Sequence, residues 1–284
     1  MPPLTLALRR LGLTPRELAT HAVLLLAAFA VLFPFYWMVL TAVRPSQEVF
    51  SAGFSWLPET FVGLDNLRTA LDQAPLLRFM LNGAIVCAGI LVVQLLTAIP
   101  CAYALAKYEF RGRDLLFALT LFGLCVPIQV PALPLYIALA FTGLLDSYFA
   151  LMLPFFLSVF AIFLFRQVFK SFPDEIIHAA RLDGLSEMEI LWRIVVPSAG
   201  PAIAAFAVFS ITAHWNDLYW PLIVVTSKEL APPPLGMMYF ADNETGANFG
   251  ALMAAATLLT APLMIIFLFA QRHFIRGVTM TGVK

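Results

Sequence analysis

The chain has 284 residues, of which 61% are hydrophobic and 12% charged. An ordinary soluble domain carries roughly 45–50% apolar and about 25% charged residues. Seventeen Lys and Arg balance seventeen Asp and Glu, so no net charge is present to draw a nucleic acid. So apolar a chain excludes disorder and leaves too few charges to cover a water-soluble globule, which points to an integral membrane protein. Cys87, Cys101 and Cys125 lie in apolar runs at spacings that suit neither a zinc knuckle nor a CxxC redox pair, and no metal site is expected.

A helix needs about 20 apolar residues to cross a hydrocarbon core of ~30 Å. Six segments meet or approach that length: 21–43, 79–106, 115–140, 148–165, 201–225 and 250–270. The first follows Arg9, Arg10 and Arg16 but is longer than a signal-peptide core and has no clean cleavage site, so it is expected to stay as an anchor. Pro127, Pro131 and Pro134 predict a kinked or broken third span. With six spans, thirteen of the seventeen Lys and Arg fall on the side that holds both termini. The positive-inside rule then puts both termini in the cytoplasm. The expected organisation is an N-terminal stretch 1–20, the first span 21–43, an outer loop 44–78, a core 79–270 and a tail 271–284. The pair Gly246 and Gly250 reads as loop chemistry at the mouth of span six rather than as a helix-packing motif.

The inner loop 171–200 is too long for a simple turn. Pro173, Asp174 and Glu175 have the signals of a helix start, because proline suits the first turn and carboxylates complement the positive end of the helix dipole. Ile176, Ala179, Ala180 and Asp183 are expected to share a face, with His178 and Arg181 to the side, and Gly184 can end the helix in a left-handed cap. Ser186 and Glu189 form a capping box for a second short helix, with Leu185 and Ile190 as its hydrophobic staple. This elbow can either rest on the bilayer interface or offer its alanines to another protein; His178 can equally be a solvated side chain near Asp174.

No lysine follows a glycine, so there is no phosphate-binding loop, and neither HExxH nor GxSxG occurs. The span interiors hold one acidic group, Asp217, with His214 nearby. Proton-coupled carriers place more ionisable groups at that depth, which disfavours the alternative of a stand-alone secondary carrier or channel. Trp215, Asn216, Asp217 and Trp220 are candidate cargo-pathway residues, since aromatic faces beside amide and carboxyl groups suit a sugar. The competing reading assigns the aromatics to an interfacial belt and the polar pair to interhelical bonds.

The run from Pro173 to Gly184, followed by Pro197 and Pro201, resembles the EAA motif of ABC-importer permeases, with His178 where the motif usually has glutamate. Leu32-Phe33-Pro34, Ala102 to Ala106, Leu145-Asp146-Ser147-Tyr148, Phe165-Arg166-Gln167 and Trp215 to Leu222 resemble carbohydrate-uptake permeases of the MalG type. The Phe165-Arg166-Gln167 region is also similar to the glycerol-3-phosphate importer permease. The tail ends Thr281-Gly282-Val283-Lys284 in place of the family's usual Gly-Ala-Val-Lys-Gly. The resemblance implies an all-α, six-span type I ABC-importer permease in a bacterial or archaeal inner membrane. It implies a second, non-identical permease, two ATPase subunits and an extracytoplasmic solute-binding protein as partners. ATP and Mg would sit on the ATPases, with no cofactor and no catalysis on this chain. Glu175, His178, Ala179, Ala180, Asp183 and Gly184 would form the ATPase-coupling helix, and the cargo would be a carbohydrate or a related polyol phosphate.

Overall fold

The computed structural model describes residues 14–49, 55–243 and 248–279. Arg9, Arg10, Gly246 and Lys284 lie outside them. Among the described residues the structure is helical, without strands. Helix α1 (Pro15–Ala42) starts at a capping box in which the Thr14 hydroxyl accepts from Glu17 N and the Glu17 carboxylate accepts from Thr14 N at 2.6 Å. Short α2 (Ser46–Val49) and α3 (Gly63–Gln73) follow. Then come α4 (Leu76–Lys107), α5 (Arg113–Phe122), α6 (Gln129–Phe141), α7 (Tyr148–Met152) and α8 (Val159–Lys170). The elbow comprises α9 (Asp174–Leu182), α10 (Glu187–Ile190), a π-helical turn Leu191–Val195 and α11 (Val196–Ser198). The chain ends in α12 (Gly200–Trp215), α13 (Tyr219–Val224), α14 (Pro233–Asn243) and α15 (Phe249–Thr279).

Three helical stretches, Arg16–Ala42, Leu76–Lys107 and Phe249–Phe269, are long and apolar enough to cross a membrane unaided. Two bent pairs, Arg113–Cys125 with Gln129–Phe141 at 91° and Tyr148–Phe155 with Val159–Lys170 at 49°, together with Gly200–Trp215, which leaves the elbow segment Glu187–Ser198 at 80°, bring the candidate spans to six. Each bend has a local cause. Pro127 removes a backbone donor at the first, the Ser158 hydroxyl caps a restarted helix at the second, and Pro197, Gly200 and Pro201 flank the third.

Span five differs from the expectation of one helix over 201–225. It stops at Trp215 and restarts at Tyr219. The Asp217 carboxylate accepts from Tyr219 N at 3.0 Å and Trp220 N at 3.4 Å, so a short polar side chain outcompetes the continuing helical ladder.

The chain forms two compact units. The first comprises the described parts of Met1–Gln73 and Glu244–Thr257. Its centre is Arg44, a buried cation that donates to the carbonyls of Ser55 at 2.5 Å and Leu57 at 3.0 Å and pairs with Glu48 at 3.3 Å. Buried Asn66 donates to the carbonyls of Ala42, the last residue of α1, and Arg44, two residues beyond it. Gly250 lies against that amide so closely that a Cβ would stand 2.4 Å from Asn66 Nδ2. Gly250 thus makes room for a polar side chain, while the reading of the pair with Gly246 lies outside the described residues.

The second unit comprises Ala74–Asn243 and the described part of Leu258–Lys284. Helix α4 is its axis and packs against α8 and α12. Ala98, Ala102, Phe165, Phe169, Ile190 and Phe206 belong to the buried cluster between them. Small residues on α4 let the phenylalanines of α8 approach, which is the packing available where lipid removes the usual hydrophobic drive between helices. Arg166 is buried here; its guanidinium lies 3.7 Å from the Phe117 ring centroid and donates to Leu105 O at 3.1 Å.

Candidate coupling elbow and cargo cleft

Helix α9 begins at Pro173 and carries Asp174 and Glu175 in its first turn, as the sequence predicts. Lys107 donates to Phe172 O at 2.6 Å and pairs with Asp174 at 2.5 Å, which ties the end of α4 to the start of the elbow. The Lys107 hydrogen bond and charge hold the Asp174 carboxyl below the usual carboxylate range.

Gly184 has φ +83°, a left-handed conformation that L side chains rarely adopt. Gly184 N donates to Arg181 O at 3.0 Å and Leu185 N to Ala180 O at 3.1 Å, the paired bonds of a Schellman cap. The Ser186–Glu189 capping box forms in both directions, with Glu189 accepting from Ser186 N at 3.1 Å. Ile190 is buried in the core cluster and Leu185 packs against that cluster.

A clamp that the sequence did not reveal joins the two arms. Arg181 pairs with Glu187 at 2.6 Å, and the Tyr103 hydroxyl donates to the same carboxylate at 3.2 Å. The Arg181 hydrogen bond, ahead of an opposing effect of burial, holds the Glu187 carboxyl below its ordinary value of 4.5. A carboxyl lowered in the folded state stabilises it above the ordinary value, and that stabilisation is lost as pH falls through the folded value. The melting-temperature advantage of the wild type over Glu187→Gln is therefore expected to be full at pH 7 and to vanish on acidification below 4.5. A difference that stays constant across the titration would show that the clamp contributes nothing through this charge.

The two alanines do not share an exposed face. Ile177 and Ala180 turn into the core, whereas Ile176, Ala179 and Asp183 are exposed. Leu182 is 90% exposed, and Met188 on the second arm is exposed as well. Glu175 and His178 are exposed beside it, with His178 Nδ1 3.4 Å from Arg181 Nη1. The sequence periodicity placed Ala180 one residue out of phase because a helix turns 100° per residue and Ile177, not Ile176, anchors it.

At the break in span five the four candidate pathway residues divide into two kinds. Trp215 is buried and its indole N–H donates to Leu259 O at 3.1 Å. Trp220 is 0% exposed and donates to Ala150 O at 2.8 Å. Both are framework. Asn216 and Asp217 face a cleft of about 340 Å³, lined also by Ile128, Phe155, Ala213, His214, Tyr219 and Trp220. Tyr219 also lines a neighbouring cleft of about 330 Å³ with Gln129, Ala132, Leu133, Tyr136 and Ile223. Gln129 and Tyr136 were missed in the sequence. The one available signal is their position just past Pro127, where a broken span frees polar groups to face a cavity.

Between α6 and α7, Asp146 adopts φ 53° and its carboxylate accepts from Thr226 N at 3.0 Å, Ser227 N at 3.0 Å and Ser227 Oγ at 2.9 Å. Burial opposes ionisation of this carboxyl, but those donors hold it below its ordinary value. Asn82 donates to the carbonyls of Glu229 and Ala231 and accepts from the Tyr148 hydroxyl at 2.7 Å. These bonds fix the start of the loop 226–249 to the helices.

Residues 94–280 match the family described as binding-protein-dependent transport system inner membrane component. The chain is 35% identical to the arabinooligosaccharides transport system permease protein AraQ of Halalkalibacterium halodurans over 90% of this chain and 92% of that one. It is 32% identical to the sn-glycerol-3-phosphate transport system permease protein UgpE of Escherichia coli O1:K1 over 91% of this chain and 94% of that one. Its fold matches a chain in a crystal structure of a bacterial ABC transporter involved in the import of the acidic polysaccharide alginate, with a TM-score of 0.80, 22% identity, and coverage of 94% and 98%. A six-span helical chain with a capped elbow between its fourth and fifth spans, related to these permeases along most of its length, belongs to the family of binding-protein-dependent transport system inner membrane components.

Proposed function

We propose that this chain is the transmembrane permease subunit of an ATP-driven importer for a carbohydrate or a related polyol phosphate, and that it transmits ATPase motion through its elbow. The observation that carries the reading is the exposed strip Ile176, Ala179 and Leu182 on a helix whose other face is anchored by Ile177 and Ala180. An apolar strip on a rigid, capped helix suits insertion into a groove of another protein. Glu175, His178 and Asp183 would rim that contact, and Gly184 would set the angle between the arms. Because the clamp and the cap leave the elbow few internal degrees of freedom, a push on it moves α8 and α12 as a body.

The partners in this reading are a second, non-identical permease, two ATPases that bind ATP and Mg, and an extracytoplasmic solute-binding protein. This chain itself carries no catalysis. Both termini would lie in the cytoplasm, on the side of the elbow. The test is purification in mild detergent of the tagged chain with Ala179→Cys labelled by a benzophenone maleimide, followed by illumination, which lets the benzophenone insert into a C–H bond of whatever protein lies against position 179. An ATPase subunit joined at position 179 is the expected product. An elbow that crosslinks to no ATPase at any stage of the nucleotide cycle, in a preparation that retains the ATPases, overturns the coupling role.

A further inference from the structure

The C-terminal end of α4 is fastened to both arms of the elbow. Lys107, its last residue, holds the start of the first arm: its side chain is 5% exposed, and its ammonium donates to Phe172 O and to Asp174. Tyr103, one turn earlier, holds the second arm through Glu187. Tyr108, the residue that caps α4, hydrogen-bonds the same carboxylate, and its ring meets that of Tyr103 edge to face with centroids 5.9 Å apart. Between these fastenings, Ile177 and Ala180 of the first arm and Ile190 of the second share one buried cluster with Ala102, Tyr103 and Leu105 of α4. The Arg181–Glu187 pair joins the arms to each other and would by itself let them pivot together. Bonds from both arms to a single helix remove that pivot.

The same helix also holds the break in span four. Helical bonding lapses there, and α4 supplies donors to two of the carbonyls: Gln94 Nε2 to Phe155 O at 2.9 Å and Thr97 Oγ1 to Phe156 O at 3.1 Å. Gln94 Oε1 in turn accepts from the Ser210 hydroxyl of α12 at 2.7 Å. Thr97 and Tyr103 are separated by about 9 Å along the helix axis, and α4 continues unbroken through Pro100 between them.

We infer that α4 moves as one body with the elbow, and that Lys107, Tyr103 and Tyr108 are the positioning residues that fasten it there. Motion delivered to the elbow then reaches the break in span four through Gln94 and Thr97. This deepens the coupling role proposed above and rests on it.

The test uses the complete importer, with its second permease, ATPases and cargo-loaded binding protein, in proteoliposomes, and reads the cargo moved per ATP hydrolysed. Lys107→Met combined with Tyr103→Phe and Tyr108→Phe removes the polar fastenings and keeps most of the bulk. It is expected to lower that ratio at least about fivefold, as loss of charge-assisted bonds would, while hydrolysis continues. Lys107→Arg, which can still donate to both partners of Lys107, is expected to keep the ratio. A merely structural role would lower cargo movement and hydrolysis together, so an unchanged ratio in the triple variant overturns the inference. The second measurement leaves the fastenings intact, so it decides the matter even where the triple variant does not assemble. Spin labels are placed at Leu96→Cys on α4 and Met188→Cys on the second arm, both exposed positions, with the three native cysteines replaced by alanine. Their separation is expected to be the same in the nucleotide-free and ATP-trapped importer, and a separation that shifts between these states overturns the inference. A wild-type importer whose hydrolysis the loaded binding protein fails to stimulate instead sinks the importer reading beneath it.

Discussion

Gly184→Val is expected to abolish most of the stimulation of ATP hydrolysis by cargo-loaded binding protein, a fall of at least about tenfold, while the subunits still assemble. The cause is conformational and not steric. No atom lies within 4 Å of a Cβ built at Gly184, but its φ of +83° is one that a β-branched residue resists. Holding an L residue left-handed costs roughly 1–2 kcal/mol, enough to favour a different angle between the elbow's arms. Ile177, Ala180 and Leu185 would then lose their joint purchase on the core, and the exposed strip would tilt. Gly184→Asn is the control, because asparagine tolerates the left-handed region; it is expected to keep most of the coupling. Wild-type stimulation in Gly184→Val would remove the elbow from the transmission path.

Trp220→Ala is expected to cost about 3–5 kcal/mol, the range for deleting a fully buried large aromatic side chain. The consequence is a sharp drop in the yield of monodisperse protein and in melting temperature, measured by fluorescence-detected size exclusion. Trp220→Phe keeps most of the volume but strands the carbonyl of Ala150 that the indole now satisfies, for a loss of about 1–2 kcal/mol. These variants also separate the two roles the sequence left open for Trp220. A framework residue loses stability in both variants in proportion to what is removed. A cargo contact would instead change the half-saturating cargo concentration at unchanged stability, and that result would return Trp220 to the pathway.

The same contrast runs through the whole second unit. The caps, which depend on residues three to five apart, were legible in the sequence: the cap at Gly184, the box from Ser186 to Glu189 and the start of α9 all form as written. The long outer loop was visible as a polar interval, but its fastening by Asp146 and Asn82 was not, because the bonded partners are 80 and 147 residues apart. Sequence also flagged Trp215, Asn216, Asp217 and Trp220 as a group, and only the tertiary structure separated Trp215, bonded to Leu259 O, from the three that line the cleft.

Composition alone placed this chain in a bilayer, and hydropathy marked six candidate spans and the position of a charged elbow between the fourth and fifth, since both follow from the transfer cost of each segment taken separately. Tertiary structure decided how each span is turned about its own axis. Helices such as α12 are apolar nearly all round, so no periodic stripe marks the face that meets a neighbour. That choice fell to packing and to a few long-range polar bonds, among them Gln94 with Ser210 and His214, and Trp215 with Leu259. The same physics put Ala180 inside and Ala179 outside: one helical step of 100° separates a residue that holds the elbow from one that can be held by a partner.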